Sequence, residues 1–574
     1  MANVTLSIDG KTVTVPQGTS VLEAAKTVGI HIPTLCYLKD VQAIGACRVC
    51  VVEVMGQRTL QASCVFPVAQ GMVVKTNSPL ARAGRKMVVE LLLSDHRMEC
   101  PTCSRNLNCE LQKLSQDLGI RDIPYCGEKA KVIIDESSPA LMRDSSKCVL
   151  CRRCVSVCQQ IQKVGVLFPS HRGFKTTIGT AFDSPIADVE CVNCGQCAAV
   201  CPVGAIVERD DVHKVWAAIE DPKKFVVVQT APAIRAAIGE EFGQEPGTAV
   251  TGKMVAALRR MGFDKVFDTQ FSADLTIMEE GNELLKRVTT GGKLPMITSC
   301  SPGWIKFIEH FYPDLLDHVS SCKSPQQMFG AVAKSYLAQK LNIDPKNMVV
   351  VSIMPCTAKK YECERPEMEA EGVRDVDIVL TTREAARMIK QAGVNLLELD
   401  EEEFDNPLGE STGAATIFAA TGGVMEAALR TVYEVVTKDK LPSIDFEAVR
   451  GMEGIKEATV KVGDLDVKVA VGHGLSNARE LMDKIRAGEA DYHFIEIMCC
   501  PGGCIAGGGQ PIPTTWETRK LRAKAIYDED KRLSSRKSHE NECVSDLYKE
   551  FLKEPLGEKS HHLLHTHYKD RSGC

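Results

Sequence analysis

The sequence predicts a multidomain chain of mixed α+β and α/β class, with small cysteine-rich domains in front of one large α/β domain. Three observations carry this. The chain has 574 residues, which suits about four domains. Sixteen of its 25 cysteines fall before residue 210, at short metal-ligand spacings. After about residue 225 cysteines thin out, and apolar runs alternate with helical patterns. The expected divisions are 1–79, 80–125, 126–209, 210–515 and 516–574. A net charge of -6 without a long basic run argues against nucleic acid as a partner. The N-terminus lacks the basic start and apolar core of a signal peptide, and no apolar run approaches the ~20 residues of a membrane span. The cytoplasm, with its reduced thiols, is the expected location.

In the first segment Val4, Leu6 and Ile8 alternate with polar residues, which is strand period, and Asp9-Gly10 turns the chain into a second strand over 11–15. A helix is expected over 20–28, with Ser20 as its cap and Glu23 completing a capping box. Cys36, Cys47, Cys50 and Cys64 follow. Their spacing in a hairpin–helix–loop frame resembles plant-type ferredoxins, a β-grasp domain whose 2Fe–2S cluster takes four thiolates. The close pair Cys47/Cys50 on its own reads equally as a redox disulfide; the other two cysteines favour the cluster. Residues 80–125 read as helical and carry His96, Cys100, Cys103 and Cys109. Three thiolates are one ligand short of a cubane, and a neutral imidazole can be the fourth.

Residues 126–209 hold two runs of Cys-x2-Cys-x2-Cys-x3-Cys, beginning at Cys148 and Cys191. This is the code for two 4Fe–4S cubanes, as in bacterial ferredoxins, in which the fourth cysteine of each run crosses to the other cluster. Cys148, Cys151, Cys154 and Cys201 are expected on one cubane, and Cys191, Cys194, Cys197 and Cys158 on the other. Zinc sites pair their cysteines differently.

Behind these domains, 225–229 and the uncharged run 348–354 read as buried strands, and 450–470 shows strand alternation with glycine turns. The tail beyond 515 is basic and polar. Its His561, His562, His565 and His567 could bind metal, but the usual fate of such a tail is a solvated segment or a C-terminal helix. Three segments stand out: Thr298-Ser-Cys300-Ser301-Pro-Gly-Trp304, Met354-Pro-Cys356-Thr-Ala-Lys359, and Glu496-Ile-Met498-Cys499-Cys500-Pro-Gly-Gly-Cys504 with the glycines that follow it. On residue chemistry alone they suggest a fifth cluster, since glycine lets backbone approach a bulky inorganic group.

Together these segments resemble the signature motifs of FeFe (iron-only) hydrogenases, and the likeness runs over almost the whole chain, including a small-subunit-like C-terminal segment. The resemblance implies reversible reduction of two protons by two electrons to dihydrogen. The cofactor would be an H-cluster, a 4Fe–4S cubane joined through a shared cysteine to a diiron azadithiolate unit with carbonyl and cyanide ligands. It would be wired by one 2Fe–2S and three 4Fe–4S clusters. Cys356, Cys500 and Cys504 would be cubane ligands, with Cys504 shared. Lys359 would hydrogen-bond a cyanide, and Met354, Met498 and Phe418 would line the pocket. Glu280, Glu283, Arg287 and Ser320 match the family's proton relay; the first three share one helical face by their spacing.

Two positions depart from the family. Its first motif carries adjacent cysteines, a relay and a ligand, where this chain has Cys300-Ser301; Cys300 is expected to be essential in one of the two roles. Ala233 stands where relatives often place a serine near a cyanide. The Cys-Ser form of the motif resembles subunits of NAD(P)-linked, electron-bifurcating assemblies. Ferredoxin, or a partner carrying NAD(P) and flavin, is then the expected electron partner, and maturation proteins would load the diiron unit. Thr421-Gly422-Gly423 lacks a nucleotide fingerprint. The rival readings are an electron-transfer subunit like the large iron–sulfur subunit of respiratory complex I, and a hydrogen sensor. Cys126, Cys322, Cys363, Cys499, Cys543 and Cys574 read as packing or surface thiols, with Cys499 also placed to tune the cluster pocket.

Overall fold

The computed structural model describes residues 2–370, 372–463 and 465–573. The N-terminal hairpin joins β1 (Asn3–Ile8) to β2 (Lys11–Pro16). Its turn places Asp9 (φ 48°) and Gly10 (φ 83°) in the left-handed region that suits a two-residue hairpin. With β3 (Val51–Val54), β4 (Gln61–Ala62) and β5 (Val73–Lys75) it forms a five-stranded sheet of order β2-β1-β5-β3-β4. The helix Val21–Thr27 buries Val21, Leu22, Ala24 and Ala25, which share one core with the inward residues of this sheet. Ser20 accepts the N–H of Glu23 (3.2 Å). The Glu23 carboxylate turns instead to Lys26 and Tyr37, so only half of the expected capping box forms.

The stretch 80–125 is less helical than its composition suggests. Helices Pro79–Asp95 and Glu110–Asp117 flank a loop that carries His96 and the three cysteines. Pro101 and Leu107, the latter at φ 63°, break the helical path there. The next domain has a small antiparallel sheet of β6 (Ile134–Asp135), β7 (Leu141–Asp144) and β8 (Ile206–Glu208). Each cysteine run turns into a short helix, Arg153–Ser156 or Gln196–Val200. Each helix is preceded by a left-handed residue, Arg152 (φ 62°) or Gly195 (φ 68°), so the repeat in sequence is a repeat in structure.

The large domain holds two four-stranded sheets. The first comprises β9 (Phe225–Thr230), β10 (Lys265–Asp268), β12 (Met348–Met354) and β13 (Ile378–Thr381), parallel throughout in the order β10-β9-β12-β13. Its central strands are the two uncharged runs, as burial on both faces of a parallel sheet requires. The second comprises β11 (Met296–Ile297), β14 (Ile455–Val462), β15 (Leu465–His473) and β16 (Phe494–Met498), in the order β11-β16-β15-β14. Its only antiparallel pair is the β14–β15 hairpin, where alternation led one to expect strands. The long helix Thr269–Thr290 follows β10 and packs against helices Pro325–Val332 and Gly423–Thr437.

The C-terminal segment folds as helices Trp516–Arg532, Glu542–Leu547 and Glu558–Leu564. Buried ion pairs pin it to the large domain, Arg522 to Glu240 (2.7 Å) and Asp530 to Arg430 (2.9 Å). Cys126 is exposed, Cys322 and Cys363 are buried, and Cys543 is half-buried. Cys574 lies outside the described residues. No helix among the described residues is long and apolar enough to cross a membrane.

Candidate active site and cluster-binding residues

The N-terminal cysteines converge. Cys36, Cys47, Cys50 and Cys64 are all buried, with the sulfurs of Cys50 and Cys64 3.4 Å apart. His96 ends its helix with Nδ1 buried and without a hydrogen-bond partner, and burial lowers its pKa. A buried imidazole nitrogen without a hydrogen-bond partner fits the role of a metal ligand. Its neighbouring cysteines meet the two-cubane domain: a Cβ on Gly204 would lie 2.6 Å from the Cys103 sulfur.

The two cysteine runs exchange their last members. One cavity is lined by Cys148, Cys151, Cys154 and Cys201, and a second by Cys158, Cys191, Cys194 and Cys197. Burial, then the charge of neighbouring thiols, pushes Cys154 and Cys197 well above the ordinary thiol range. Four crowded buried thiols would resist ionising together; a cationic iron cluster removes that conflict, so the donor set fits 4Fe–4S clusters.

The third site sits where strand ends from both sheets meet. Ala231-Pro232 follows β9, Cys300 and Ser301 follow β11, Cys356 follows β12, and Cys499 and Cys500 follow β16; all line one cavity with Cys504. Ligands of open α/β sheets bind at such carboxyl ends. Met354, Met498, Phe418 and Lys359 line it too, so the pocket is largely apolar. Ala233 is buried behind Pro232, and its carbonyl accepts from Gln510 (3.3 Å). The glycines after Cys504 allow close approach: a Cβ on Gly507 would fall 2.2 Å from the Pro355 carbonyl, and one on Gly508 would fall 2.4 Å from that of Cys194. The ammonium of Lys359 donates to Ser324 Oγ (2.7 Å), Glu362 Oε2 (2.8 Å) and the Cys300 carbonyl (3.2 Å). Ser301 uses its hydroxyl on the N–H of Cys499 (3.2 Å).

On the far side of Cys300 lie the carboxylates. Glu280 and Glu283 are buried on the helix Thr269–Thr290. Both oxygens of Glu280 lack a hydrogen-bond partner. Burial, then the charge of Glu283, raises its pKa to about 8. Burial and Glu280 in turn push the Cys300 thiol well above its usual range. Glu283 accepts from Ser320 Oγ (2.8 Å) and pairs with Arg287 (2.6 Å), whose side chain reaches toward the surface and also donates to the Val319 carbonyl (2.9 Å).

Several residues at the site carried no signal in the sequence. Gln196, between two cubane cysteines, donates to the Cys500 sulfur (3.2 Å) and the Ala506 carbonyl (2.9 Å). Gln42 donates to the carbonyls of Cys36 (2.7 Å) and Cys151 (2.8 Å). Both act across domains, and only the tertiary fold reveals them. Glu496, quoted as part of a motif, accepts from the N–H groups of Gly422 and Met425, both at 2.7 Å. Its carboxylate therefore fills the helix N-terminus that a nucleotide phosphate would need.

Comparison with known proteins agrees with this architecture. Residues 224–508 match the family described as iron only hydrogenase large subunit, C-terminal domain. Residues 1–79 match a 2Fe-2S iron-sulfur cluster binding domain, 85–124 an NADH-ubiquinone oxidoreductase-G iron-sulfur binding region, 147–205 a 4Fe-4S dicluster domain and 517–571 the iron hydrogenase small subunit. The chain is 54% identical to NADP-reducing hydrogenase subunit HndD of Solidesulfovibrio fructosivorans, over 99% of both chains. It is 41% identical to iron hydrogenase 1 of Clostridium pasteurianum, over 98% of this chain and 100% of that protein. A solved structure of a variant of [FeFe]-hydrogenase HydA1 from Chlamydomonas reinhardtii superposes with a TM-score of 0.57 at 46% identity, covering 63% of this chain and 99% of that one.

Proposed function

The chain belongs to the iron-only hydrogenases, and we propose that it is the hydrogen-activating subunit of a cytoplasmic assembly whose partner performs NAD(P) or flavin chemistry. It carries 2Fe–2S and 4Fe–4S domains and an H-cluster-type catalytic domain. The observation that carries the catalytic reading is the apolar cavity at the strand ends, into which separate loops bring Cys300, Cys356, Cys499, Cys500 and Cys504. Two observations favour a partner subunit. The full-length relative is named as an NADP-reducing hydrogenase subunit. The nearest candidate for a nucleotide turn in this chain is closed by Glu496.

When bound, the H-cluster supplies the iron at which dihydrogen is formed or split. The chain's own residues hold it, dry it, and move protons and electrons to it. Cys356, Cys500 and Cys504 would hold the cubane, with Cys504 shared. The fourth thiolate is read as Cys499. Burial acts on it together with contacts to Cys500 and Cys194, and Ser301 spends its hydroxyl on the backbone of the same residue. That leaves Cys300 beside Glu280 as the proton donor to the cofactor. Protons would then enter beside Arg287, which holds Glu283 by an ion pair, and run Glu283, Ser320, Glu280, Cys300. Lys359, fixed by Ser324 and Glu362, presents a positive charge to the cavity where a cyanide acceptor would exchange with the Cys300 carbonyl. Ala233 offers no hydroxyl for a second such contact.

Cys36, Cys47, Cys50 and Cys64 would hold one 2Fe–2S cluster, and with three cubanes it would supply a branched wire for electrons. Gln42 ties the 2Fe–2S loop to the Cys148 cubane. The His96 cluster meets the same cubane, because the Glu110 N–H donates to the Pro202 carbonyl (2.9 Å) and Arg153 pairs with Glu110 (2.6 Å). Electrons from both outer sites would thus meet at one junction, and Cys158, Cys191, Cys194 and Cys197 would hold the cubane that passes them toward Cys500, which Gln196 contacts. Anaerobically matured protein is expected to evolve hydrogen from reduced viologen, show infrared bands of iron-bound carbonyl and cyanide, and co-purify with a flavin-containing subunit. Absence of the diatomic bands would reduce the chain to an electron carrier; their presence without a flavoprotein would remove only the partner.

A further inference from the structure

The proton route just described ends at Glu283, and the structure places another titratable system behind it. The C-terminal chain returns here: the Thr566 N–H donates to the Ser321 carbonyl (2.7 Å), and the Lys323 N–H donates to that of Leu564 (2.8 Å). This backbone pairing sets His565, 8% exposed, among buried acids. Its Nδ1 lies 2.8 Å from Ser321 Oγ, and its Nε2 lies 3.1 Å from Glu279 Oε2. The backbone N–H of Ser321 donates to both oxygens of Glu283, at 3.3 and 3.2 Å. A nitrogen of His565, the Cys322 sulfur and a Glu283 oxygen all fall within 4.8 Å of one another. The exposed His561 stacks on His565 with ring centroids 4.2 Å apart.

We propose that His565 is a second proton port for Glu283, exchanging protons with solvent at the edge covered by His561 and with Glu283 across the short gap between their side chains. The inference rests on the relay reading above. In the hydrogen-evolving direction His565 begins as an imidazolium, with Nε2–H donated to Glu279 and Nδ1–H to Ser321. The imidazolium gives up one N–H proton and the Glu283 carboxylate takes it, a transfer over less than 4.8 Å. Imidazolium and carboxylate become imidazole and carboxylic acid, and no electron moves. Glu279 is built to hold the imidazolium. Burial raises its pKa, but hydrogen bonds from His565, Tyr548 and the Leu556 N–H outweigh burial and keep it below the ordinary carboxylate range. The groups facing His565 are Glu279 and Glu283 from the long helix, Ser321 and Cys322 from the paired strand, Tyr548, and His561 from its own helix. The carboxylates of Glu279 and Glu283 favour a cation here, and Arg287 stands on the opposite side of Glu283.

The test compares His565→Gln, Glu279→Gln and Glu283→Gln in matured protein of checked iron content and diatomic infrared bands. His565→Gln keeps hydrogen-bonding atoms and loses only titration. It is expected to lower hydrogen evolution about ten-fold, less than the ~10²–10⁴ of an unaccompanied acid–base group, because the Arg287 side remains open. Added imidazole is expected to restore it, and the alkaline limb on which an imidazolium donor is lost should leave the pH–rate profile. Glu279→Gln is expected to move that limb to lower pH. Should Glu283→Gln be inactive while His565→Gln and Glu279→Gln keep the wild-type rate and profile, the port is overturned and the relay stands. Should Glu283→Gln be fully active, the relay itself fails. If His565→Gln loses iron, the Glu279→Gln profile decides alone, and an unshifted limb overturns the proposal.

Discussion

Glu280 offers the sharpest test of the proton route. In the unfolded chain it ionises near the ordinary 4.5, and in the fold near 8. At pH 7 the native carboxyl is therefore roughly nine-tenths protonated, a state able both to donate toward Cys300 and to be refilled from Ser320. The same shift has a cost. Between pH 4.5 and 8 the native state binds a proton that the unfolded state has released, so stability declines across that window as pH rises. At pH 7 the loss amounts to about 3 kcal/mol. Glu280→Gln preserves the neutral shape and removes the penalty. It is expected to denature at a higher temperature than the wild type at pH 7, with the gap closing toward pH 4. Its hydrogen evolution is expected to fall by ~10²–10⁴. Infrared difference spectra should show a carboxylic acid band in the wild type that titrates near pH 8 and is missing from the variant. A wild-type carboxyl already ionised at pH 6, or a glutamine variant with full turnover, would refute the argument.

The remaining predictions concern the clusters. In protein produced without maturation, which would hold its iron–sulfur clusters but lack the diiron unit, Cys499→Ala is expected to weaken the electron-paramagnetic signal of the catalytic cubane while Cys300→Ala preserves it, and matured Cys300→Ala is expected to lose turnover. The reverse pattern would return the ligand role to Cys300. His96→Ala is expected to lose iron and slow electron delivery from outside, leaving viologen-driven turnover less affected; full iron content would count against ligation. Gln196→Leu removes an N–H···S contact to Cys500 and should lower the catalytic cubane's potential by roughly 50 mV in a redox titration; an unchanged midpoint would show that this contact does not tune the cluster.

What was legible in the sequence was local. Cluster cysteines sit a few residues apart because one loop must wrap one cluster, so spacing alone announced Cys148–Cys158 and Cys191–Cys201. The run Met348–Met354 has no charged residue because both of its faces are buried, and it forms a strand over the same seven residues. The spacing of Glu280, Glu283 and Arg287 showed a shared helical face for the same reason. Where two local signals competed, composition misled. The 80–125 stretch is rich in helix formers, yet cluster geometry and Pro101 impose a loop on its middle. Contacts made across domains left no trace: Gln42 and Gln196 look like any surface glutamine until the fold sets each between two cysteine loops.

On the proposed function, the catalytic cavity would keep protons and electrons on separate sides. Parallel strands deliver loops to one edge, and those after β12 and β16 face the two-cubane domain. There the Thr357 hydroxyl donates to the Asn193 carbonyl (2.7 Å) and Gln196 reaches Cys500. The loop after β11 faces the other way, where the helix Thr269–Thr290 presents Glu280 to Cys300. Electron tunnelling tolerates rigid, proton-poor packing, and the cubane side provides it in backbone contacts that only glycine at 195 and 508 permits. Proton transfer needs hydroxyls and carboxyls that can exchange, and the Ser320–Glu283 side supplies them next to Cys300. A substitution at Gly508 should therefore disturb electron delivery and cluster content together, whereas one at Ser320 should slow only the proton. A Ser320→Ala variant with shifted cluster potentials would break that separation.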